Sequence, residues 1–499
     1  MKTSDRLSYI TANIQAIQRL NWQDISIDSV TDDSREVRDG AIFVAVSGEN
    51  TDGHDYIPEA LRNGASAIVC ETPPSPLPAC PVIRVKNSRR ALSSLAARIY
   101  PSGMVRKIGV TGTDGKTTTT ELIRSILEQT GERVGSLGTI KYNLGTRSVD
   151  SLQTTPHPIK LHSMLAEMQR AGLRHAVMEV SSHALVHHRT ADVSFDIAVL
   201  TNITEDHLDF HGSRQAYKNA KKMLFEQLHP GALAVLNADS EVCRDFAMAT
   251  RAPVLTYGMK NKADVKLLER KMDIEGTDIL VQTPLDTYAF RTPLIGDYNC
   301  ENILAAITAA FALGIPKHQI TKAIEQFSGT GGRLEKISVK GKSKNMPAVF
   351  VDYAHTASAL KKVIATLKPL VSGQLICVFG CGGDRETQKR PLMGRVATEI
   401  ADLSIITADN SRSENTEDII RDITAGINKS ARRYIKEPDR KKAIKIALDS
   451  ANSPDDAVVI CGRGCERYQV MNGRKIPFDD RTVTRQLMEQ LSQRTRKTA

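Results

Sequence analysis

A chain of 499 residues predicts two to four domains at about 100–200 residues each, every one large enough to bury a core. Hydrophobic residues make up 41% and charged residues 25%, which excludes a disordered tail, a peptide-sized scaffold, a collagen-like fibre and a membrane channel. Lys and Arg outnumber Asp and Glu by 67 to 57, a formal charge of +10 that is modest for this length and mixed in sign along the chain. With one Trp and eleven Phe there is little sign of a stacking platform, so no nucleic-acid partner is expected. Arg432-Arg433 and Arg440-Lys441-Lys442 read as solvated helix faces. Met1–Arg6 is not followed by an apolar signal segment, and no apolar run approaches the roughly 20 residues that cross a bilayer. A cytoplasmic protein without membrane insertion is the expectation. The eight cysteines do not describe an oxidised scaffold. Cys377/Cys381 and Cys461/Cys465 have CxxxC spacing without a metal-ligand context and read as reduced thiols.

In chain order, Ala41–Val46 and Ala67–Val69 read as short strands, and Tyr56–Asn63 as the helix before Gly64. Prolines at 73, 74, 76, 78 and 81 place a loop after them. Asp32-Asp33-Ser34-Arg35, ahead of Gly40, offers a hydroxyl, acids and a guanidinium near a turn. It is either a capped surface turn or a phosphate or sugar contact. This first unit runs to about residue 100, and Pro101-Ser102-Gly103 is a plausible linker.

Beyond it the order is strand (Lys107–Val110), tight polar loop (Thr111–Lys116) and helix (Thr117–Gln129), the opening of a nucleotide-binding α/β domain. Ala176–Val180 and Phe195–Leu200 supply further central strands, and the unit continues to about Leu334, including a helix after Asn302. After Gly329–Arg333 the pattern restarts. Strands at Ala348–Tyr353, Leu375–Phe379, Leu403–Thr407 and Ala457–Cys461 alternate with helical segments, which predicts a C-terminal doubly wound sheet.

Gly109-Val110-Thr111-Gly112-Thr113-Asp114-Gly115-Lys116-Thr117 departs from the strict phosphate-loop spelling, because its first glycine is displaced by one position. The physical parts remain: close turns at Gly112 and Gly115, Lys116 for phosphate charge, and Thr117 for a magnesium-bound nucleotide, with Thr118 next on the helix. ATP and Mg²⁺ are the expected cofactors; a structural glycine turn is the alternative. Glu179, at a strand end in Met178–His183, and His207, within Thr204–His211, are candidate magnesium-site residues. The histidines would also permit zinc, although their spacing is not HExxH.

Several ordered signatures together resemble the ATP-dependent Mur ligases. They are Asp33-Ser34-Arg35, the phosphate loop, Thr154-Thr155-Pro156, Glu179–Leu185, Asp206–Gly212, Gly296–Asn299 with Asn302, and Asp352–Thr356. The resemblance spans nearly the whole chain. It implies three domains: 1–102 for the UDP part of the donor, 103–334 for ATP, and a Rossmann-like 335–499 for the incoming amino acid. It implies amide-bond formation through an acyl phosphate on UDP-N-acetylmuramoyl-L-alanyl-D-glutamate, in peptidoglycan precursor synthesis, by a monomer. It makes Lys221 a carbamylated lysine that approaches magnesium beside Thr117, Glu179 and His207. It places Asn299 and Asn302 near the base, and Arg333 and Asp352 near phosphate or ribose. Ser34, Thr154, Thr155, Ser182 and Arg189 become donor-substrate contacts.

For the amino acid, the resemblance singles out Arg385, Asp409, Asn410, Arg412, Gly462 and Glu466. The Asp409–Arg412 stretch is similar to that of the branch that adds meso-diaminopimelate, whose remote carboxylate has a use for Arg412. Ser411, Arg463, Cys465 and Ala357 depart from the usual proline, lysine, histidine and proline. Addition of L-lysine or another amino acid is one alternative, and a non-ligase phosphate-loop module is another.

Overall fold

A computed structural model describes residues 6–48, 51–204, 206–339, 346–428 and 433–498. Glu205, Arg432 and residues 1–5 of the N-terminal segment lie outside the described residues. The chain forms two compact units, one of residues 1–266, 282–286 and 302–320, the other of residues 267–281, 287–301 and 321–499.

The first unit begins with a five-stranded sheet ordered Ala16–Leu20, Val82–Val85, Ala67–Cys70, Ala41–Val44 and Ser29–Thr31. Its first strand is antiparallel and the others are parallel. Ile42, Val44, Ala67, Val69 and Ile83 fill one face of this sheet, and Phe43, Ile68 and Val82 the other. Such near-continuous apolar strands are what a sheet buried on both faces requires. The helix Ser88–Ile99 packs on the helix Pro158–Arg170. Between them Ser93 Oγ donates to Ala191 O at 2.7 Å and meets His162 Nε2 at 3.3 Å. His162 is 2% exposed, and burial lowers its pKa to about 4, so the ring is neutral at pH 7.

The same unit carries a second, largely parallel sheet. Arg106–Thr111 lies at its centre between His175–Glu179 and Ile197–Leu200, flanked outward by Val134–Leu137 on one side and Leu233–Asn237 and Val254–Gly258 on the other. Register pairs Val110 with Glu179 and Thr111 with Leu200, so three strand ends arrive together. Ligands bind at such carboxyl ends, where adjacent connections diverge. The helix Lys116–Glu128 follows at once.

In the second unit, strands run in the order Glu335–Lys336, Ala348–Asp352, Ala457–Cys461, Leu375–Phe379, Leu403–Ile406 and Arg433–Lys436, all parallel except the first. Alternation divides them between two cores. Phe350, Cys377, Phe379 and Val459 belong to one, and Val349, Val351, Ile376, Val378 and Ile460 to the other. This is the doubly wound arrangement that the strand pattern predicts.

Three expectations change. Arg433 is exposed but opens the strand Arg433–Lys436 instead of lying on a helix face. The helix expected after Asn302 spans Asp297–Ala312, so Asn302 sits inside it. Arg440 is not on a solvated face: its side chain is fully buried against Asp480, which is buried too. The guanidinium pairs bidentately at 2.8 and 2.7 Å and also donates to Ala408 O and Cys461 O at 3.0 and 2.9 Å. A charge this deep requires that many acceptors. All eight cysteines are free thiols, and Cys377, Cys381 and Cys461 are core residues. Among the described residues no helix is long and apolar enough to cross a membrane.

Candidate active site

The loop after the central strand packs so closely on its surroundings that two positions admit no side chain. Gly112 has φ +148°, and a Cβ there would fall 1.8 Å from Thr201 Oγ1. Gly115 has φ +84°, and its Cβ would fall 2.2 Å from Asn302 Oδ1. Only glycine fits at these two places. The segment after Ile197–Leu200 staples the loop: Asn202 O accepts from Thr113 N at 2.8 Å, Asn202 Oδ1 from Asp114 N at 2.9 Å, and Thr201 Oγ1 donates to Asp114 O at 2.6 Å. Lys116 Nζ folds over the loop and donates to Gly112 O and Thr113 O at 2.9 and 2.8 Å. An ammonium and a helix N-terminus at one turn form an anion cradle.

Beneath it, Thr117 Oγ1 donates to Glu179 Oε2 at 3.1 Å. Glu179 is 1% exposed and also accepts from Thr139 N and Thr139 Oγ1 at 2.7 and 3.0 Å. The pair presents hard oxygen donors of the kind Mg²⁺ takes, so these residues fit that ion. Among the described residues no group of three or more His, Cys, Asp or Glu is placed to hold a metal unaided.

Lys221, on the helix Arg214–Glu226, reaches the same loop, donating to Gly112 O at 2.8 Å. It is 1% exposed and lies over the Tyr217 ring, 4.6 Å from its centroid. Burial, then the nearby charge of Lys116, holds its pKa well below the ordinary lysine value. Tyr217 OH meets Thr113 Oγ1 at 3.0 Å, and its ring lies 6.4 Å from His207. His207 is half-exposed with φ +51°, and its Nε2 is 3.4 Å from Asp206 Oδ2.

The expected donor contacts cluster around Glu179. Thr155 Oγ1 donates to Glu179 O at 3.0 Å, and Thr154 Oγ1 meets Thr139 Oγ1 at 3.2 Å. Arg189 Nη1 donates to Thr155 O and Gln153 Oε1 at 3.0 and 2.7 Å, and Ser182 Oγ meets His211 Nε2 at 3.0 Å. Ser34 lies elsewhere, in the turn after the strand Ser29–Thr31 of the N-terminal sheet, where its hydroxyl donates to Glu59 Oε2 at 2.6 Å. There Asp33 caps the short turn Ser34–Glu36 and pairs with Arg35, as a capped turn requires. Asn302 lies at the phosphate loop, 3.3 Å from Thr119 Oγ1, and Thr118 is buried one residue away.

In the second unit, Asn299 is buried and donates to Ile295 O at 2.8 Å. Asp352 accepts from Leu334 N and Ala354 N at 2.6 and 2.7 Å, and burial raises its pKa. Arg333 lies over Tyr353 at 4.7 Å. At the ends of the parallel strands, Asp409–Arg412 forms a loop against Gly462, where φ is +118° and a Cβ would fall 2.5 Å from Asp409 Oδ2. Arg412 Nη1 donates to Gly383 O at 2.6 Å. Asn410 Nδ2 donates to Glu466 Oε2 at 2.8 Å, and burial raises the pKa of Glu466. Arg385 is exposed beside this loop's neighbours Gly383 and Asp384.

Sequence reasoning missed Thr139, Gln153 and Tyr217. Tyr217 carried a readable signal, four residues before Lys221 on one helix face. It also missed the hairpin Tyr468–Met471 with Arg474–Pro477. Its turn is Asn472-Gly473, both at positive φ, and Asn-Gly is the strongest short hairpin signal a sequence offers.

Three family profiles match in this order: "Mur ligase family, catalytic domain" over residues 26–100, "Mur ligase middle domain" over 110–310, and "Mur ligase, glutamate ligase domain" over 332–464. The chain is 41% identical over 469 residues to the UDP-N-acetylmuramoyl-L-alanyl-D-glutamate--2,6-diaminopimelate ligase of Halalkalibacterium halodurans, covering 93% of this chain and 95% of that one. The chain belongs to the Mur ligase family. The Geobacillus kaustophilus enzyme of the same name is 41% identical over 461 residues, 91% of this chain and 93% of that one. A solved structure of a ligase of that name superposes with TM-score 0.72 at 31% identity, covering 97% of this chain and 99% of that one. The fold is the mixed α/β architecture of Mur ligases, and the chain is an ATP-dependent ligase of that family.

Proposed function

We propose that this chain joins meso-2,6-diaminopimelate to UDP-N-acetylmuramoyl-L-alanyl-D-glutamate, with conversion of ATP to ADP and phosphate. The donor's glutamate carboxylate oxygen attacks the γ-phosphorus and ADP departs. The amine then attacks the acyl carbon, phosphate leaves and the nitrogen gives up a proton. In this reading residues 1–102 take the UDP part, 103–334 the phosphate chemistry and 335–499 the amino acid. Lys116 and the N-terminus of the helix Lys116–Glu128 hold the phosphates, and the fixed dipoles of the loop stabilise charge that moves during transfer. Thr154, Thr155, Ser182 and Arg189 orient the donor, with Ser34 toward its UDP end. Asn299, Asn302, Arg333 and Asp352 are assigned to the nucleotide.

Thr117 and Glu179 would hold Mg²⁺, with His207 and a modified Lys221 as further ligands. When bound, the ion neutralises phosphate charge. Lys221 supports the modification chemically, because a buried lysine with a depressed pKa offers a free amine. That neutral amine adds to CO₂, forming an N–C bond and releasing one proton, and an anionic carbamate replaces the amine.

One observation carries the choice of amino acid. Arg412 and Glu466 are attached to opposite ends of Asn410, Arg412 Nη1 at 3.5 Å from its backbone carbonyl and Glu466 through its side-chain amide. A cation and an acid so paired match the far end of meso-diaminopimelate, which bears a carboxylate and an ammonium. L-Lysine bears only the ammonium. The test is product mass and ADP release from the UDP-dipeptide, ATP and Mg²⁺ with a panel of amino acids. Extension by meso-diaminopimelate is expected. Preferred extension by L-lysine, or ADP release without any extended product, overturns the reading.

A further inference from the structure

Arg463 follows the strand Ala457–Cys461 and has none of its surface exposed. Its Nη1 donates to Asn410 Oδ1 at 2.9 Å, and its Nη2 donates to the carbonyls of Tyr468 and Phe478, the latter at 3.1 Å. Tyr468 begins the hairpin and Phe478 follows its last residue. One planar guanidinium thus ties both feet of the hairpin to the Asn410 amide.

The hairpin in turn shapes the loop. Gln469 Nε2 donates to Asp409 O at 2.7 Å, and Val470 N donates to Asn410 Oδ1 at 2.8 Å. Arg412 N donates to Val470 O at 3.0 Å, and Gly473 N donates to Arg412 O at 3.4 Å. Arg412 has φ +53°, a left-handed backbone that a residue with a side chain adopts only when its surroundings impose it. The hairpin supplies that imposition. Asn410 Oδ1 accepts from two donors, which fixes its amide so that Nδ2 faces Glu466.

We propose that Arg463 is a positioning residue for amino-acid selection. Without meeting the substrate, it clamps the Tyr468–Pro477 hairpin onto Asn410 and so fixes where Arg412 and Glu466 stand. A guanidinium suits this task, because its fork serves several acceptors in one plane while an ammonium is a compact point charge. The inference rests on the amino-acid ligase reading above.

The test compares wild type, Arg463→Met, Arg463→Lys and Gln469→Leu in steady-state kinetics with meso-diaminopimelate and with L-lysine, alongside the KM for ATP and thermal unfolding. Arg463→Met is expected to raise the KM for meso-diaminopimelate by about 10- to 100-fold, as loss of an outer support or a small misplacement does. The KM for ATP should hold, and the preference over L-lysine should fall by a smaller factor, since Glu466 also serves the ammonium that L-lysine bears. Arg463→Lys, which keeps the charge and reaches fewer acceptors, should lie between. Gln469→Leu cuts a second tie without touching charge; it should shift KM in the same direction and carries the test if Arg463→Met does not fold. An unchanged KM for meso-diaminopimelate in a folded variant, or equal rises for ATP and the amino acid, overturns the proposal. If the wild type instead uses another amino acid, the functional reading fails, and the same KM split on that amino acid decides Arg463.

Discussion

Replacing Arg412 separates charge recognition from loop shape. Its guanidinium donates to Gly383 O at 2.6 Å, and its backbone sits at φ +53°. Loss of a charge-assisted contact to a substrate carboxylate costs about 2–5 kcal/mol, or roughly 30- to 5,000-fold in kcat/KM. Arg412→Ala keeps a side chain at the left-handed position, so it adds no backbone penalty to the wild-type state. Arg412→Gly removes the same charge and relieves about 1 kcal/mol of that penalty, a difference of roughly fivefold. If charge governs, the two variants should lose meso-diaminopimelate turnover equally while turnover of L-lysine changes little. The assay is kcat/KM for both amino acids, with ATP affinity and folded fraction measured beside it. Equal loss toward both amino acids, or clear recovery in Arg412→Gly over Arg412→Ala, refutes the charge-selective role.

Lys221→Ala should lower kcat by about 100- to 1,000-fold, the usual scale for losing a transition-state stabiliser, and intact-mass measurement of gently prepared wild type should show the added mass of one CO₂. Fully active enzyme with an unmodified Lys221 contradicts that role. Gly112→Ala drives a Cβ to within 1.8 Å of Thr201 Oγ1, so ATP turnover should fall by about 100-fold or more in a folded protein, read by ADP release. Because the pKa of His162 is lowered to about 4, the unfolded chain binds a proton that the folded one refuses between pH 6.5 and about 4. Its contribution is therefore full above pH 6.5 and is lost as pH falls toward 4. Denaturant unfolding across that range should show this slope, and His162→Gln should flatten it.

The central strands and the phosphate loop were legible because both obey local rules: apolar runs of strand length, glycines at turns, and a lysine opening a helix. Arg106–Thr111 and Lys116–Glu128 lie within a residue or two of expectation. What stayed hidden depended on partners distant in sequence. Arg440 looks like a surface cation until Asp480, forty positions on, closes over it. Glu179 was named as a magnesium-site candidate and Lys221 came from the resemblance, but their contacts were not legible: the parallel register and the helix Arg214–Glu226 bring them to one loop. Ser34 was legible in kind, as a capped turn or a contact, but not that Glu59 would accept from its hydroxyl. Arg463 stood out only as an unusual residue, since its role depends on a hairpin that went unread.

The buried pair of Arg440 and Asp480 ties the helix Asp480–Thr498 to the two strand ends that carry the proposed amino-acid site. Asp480 opens the helix Asp480–Thr498, and its partner's guanidinium also caps the carbonyls of Ala408 and Cys461, the residues just ahead of Asp409 and Gly462. Shortening the chain from its end through Asp480 would strand that cation in the interior and take two carbonyls with it. The final segment is thus no trailing appendage. On the proposed reading, the loop that would meet the amino acid keeps its shape only while this helix stays docked.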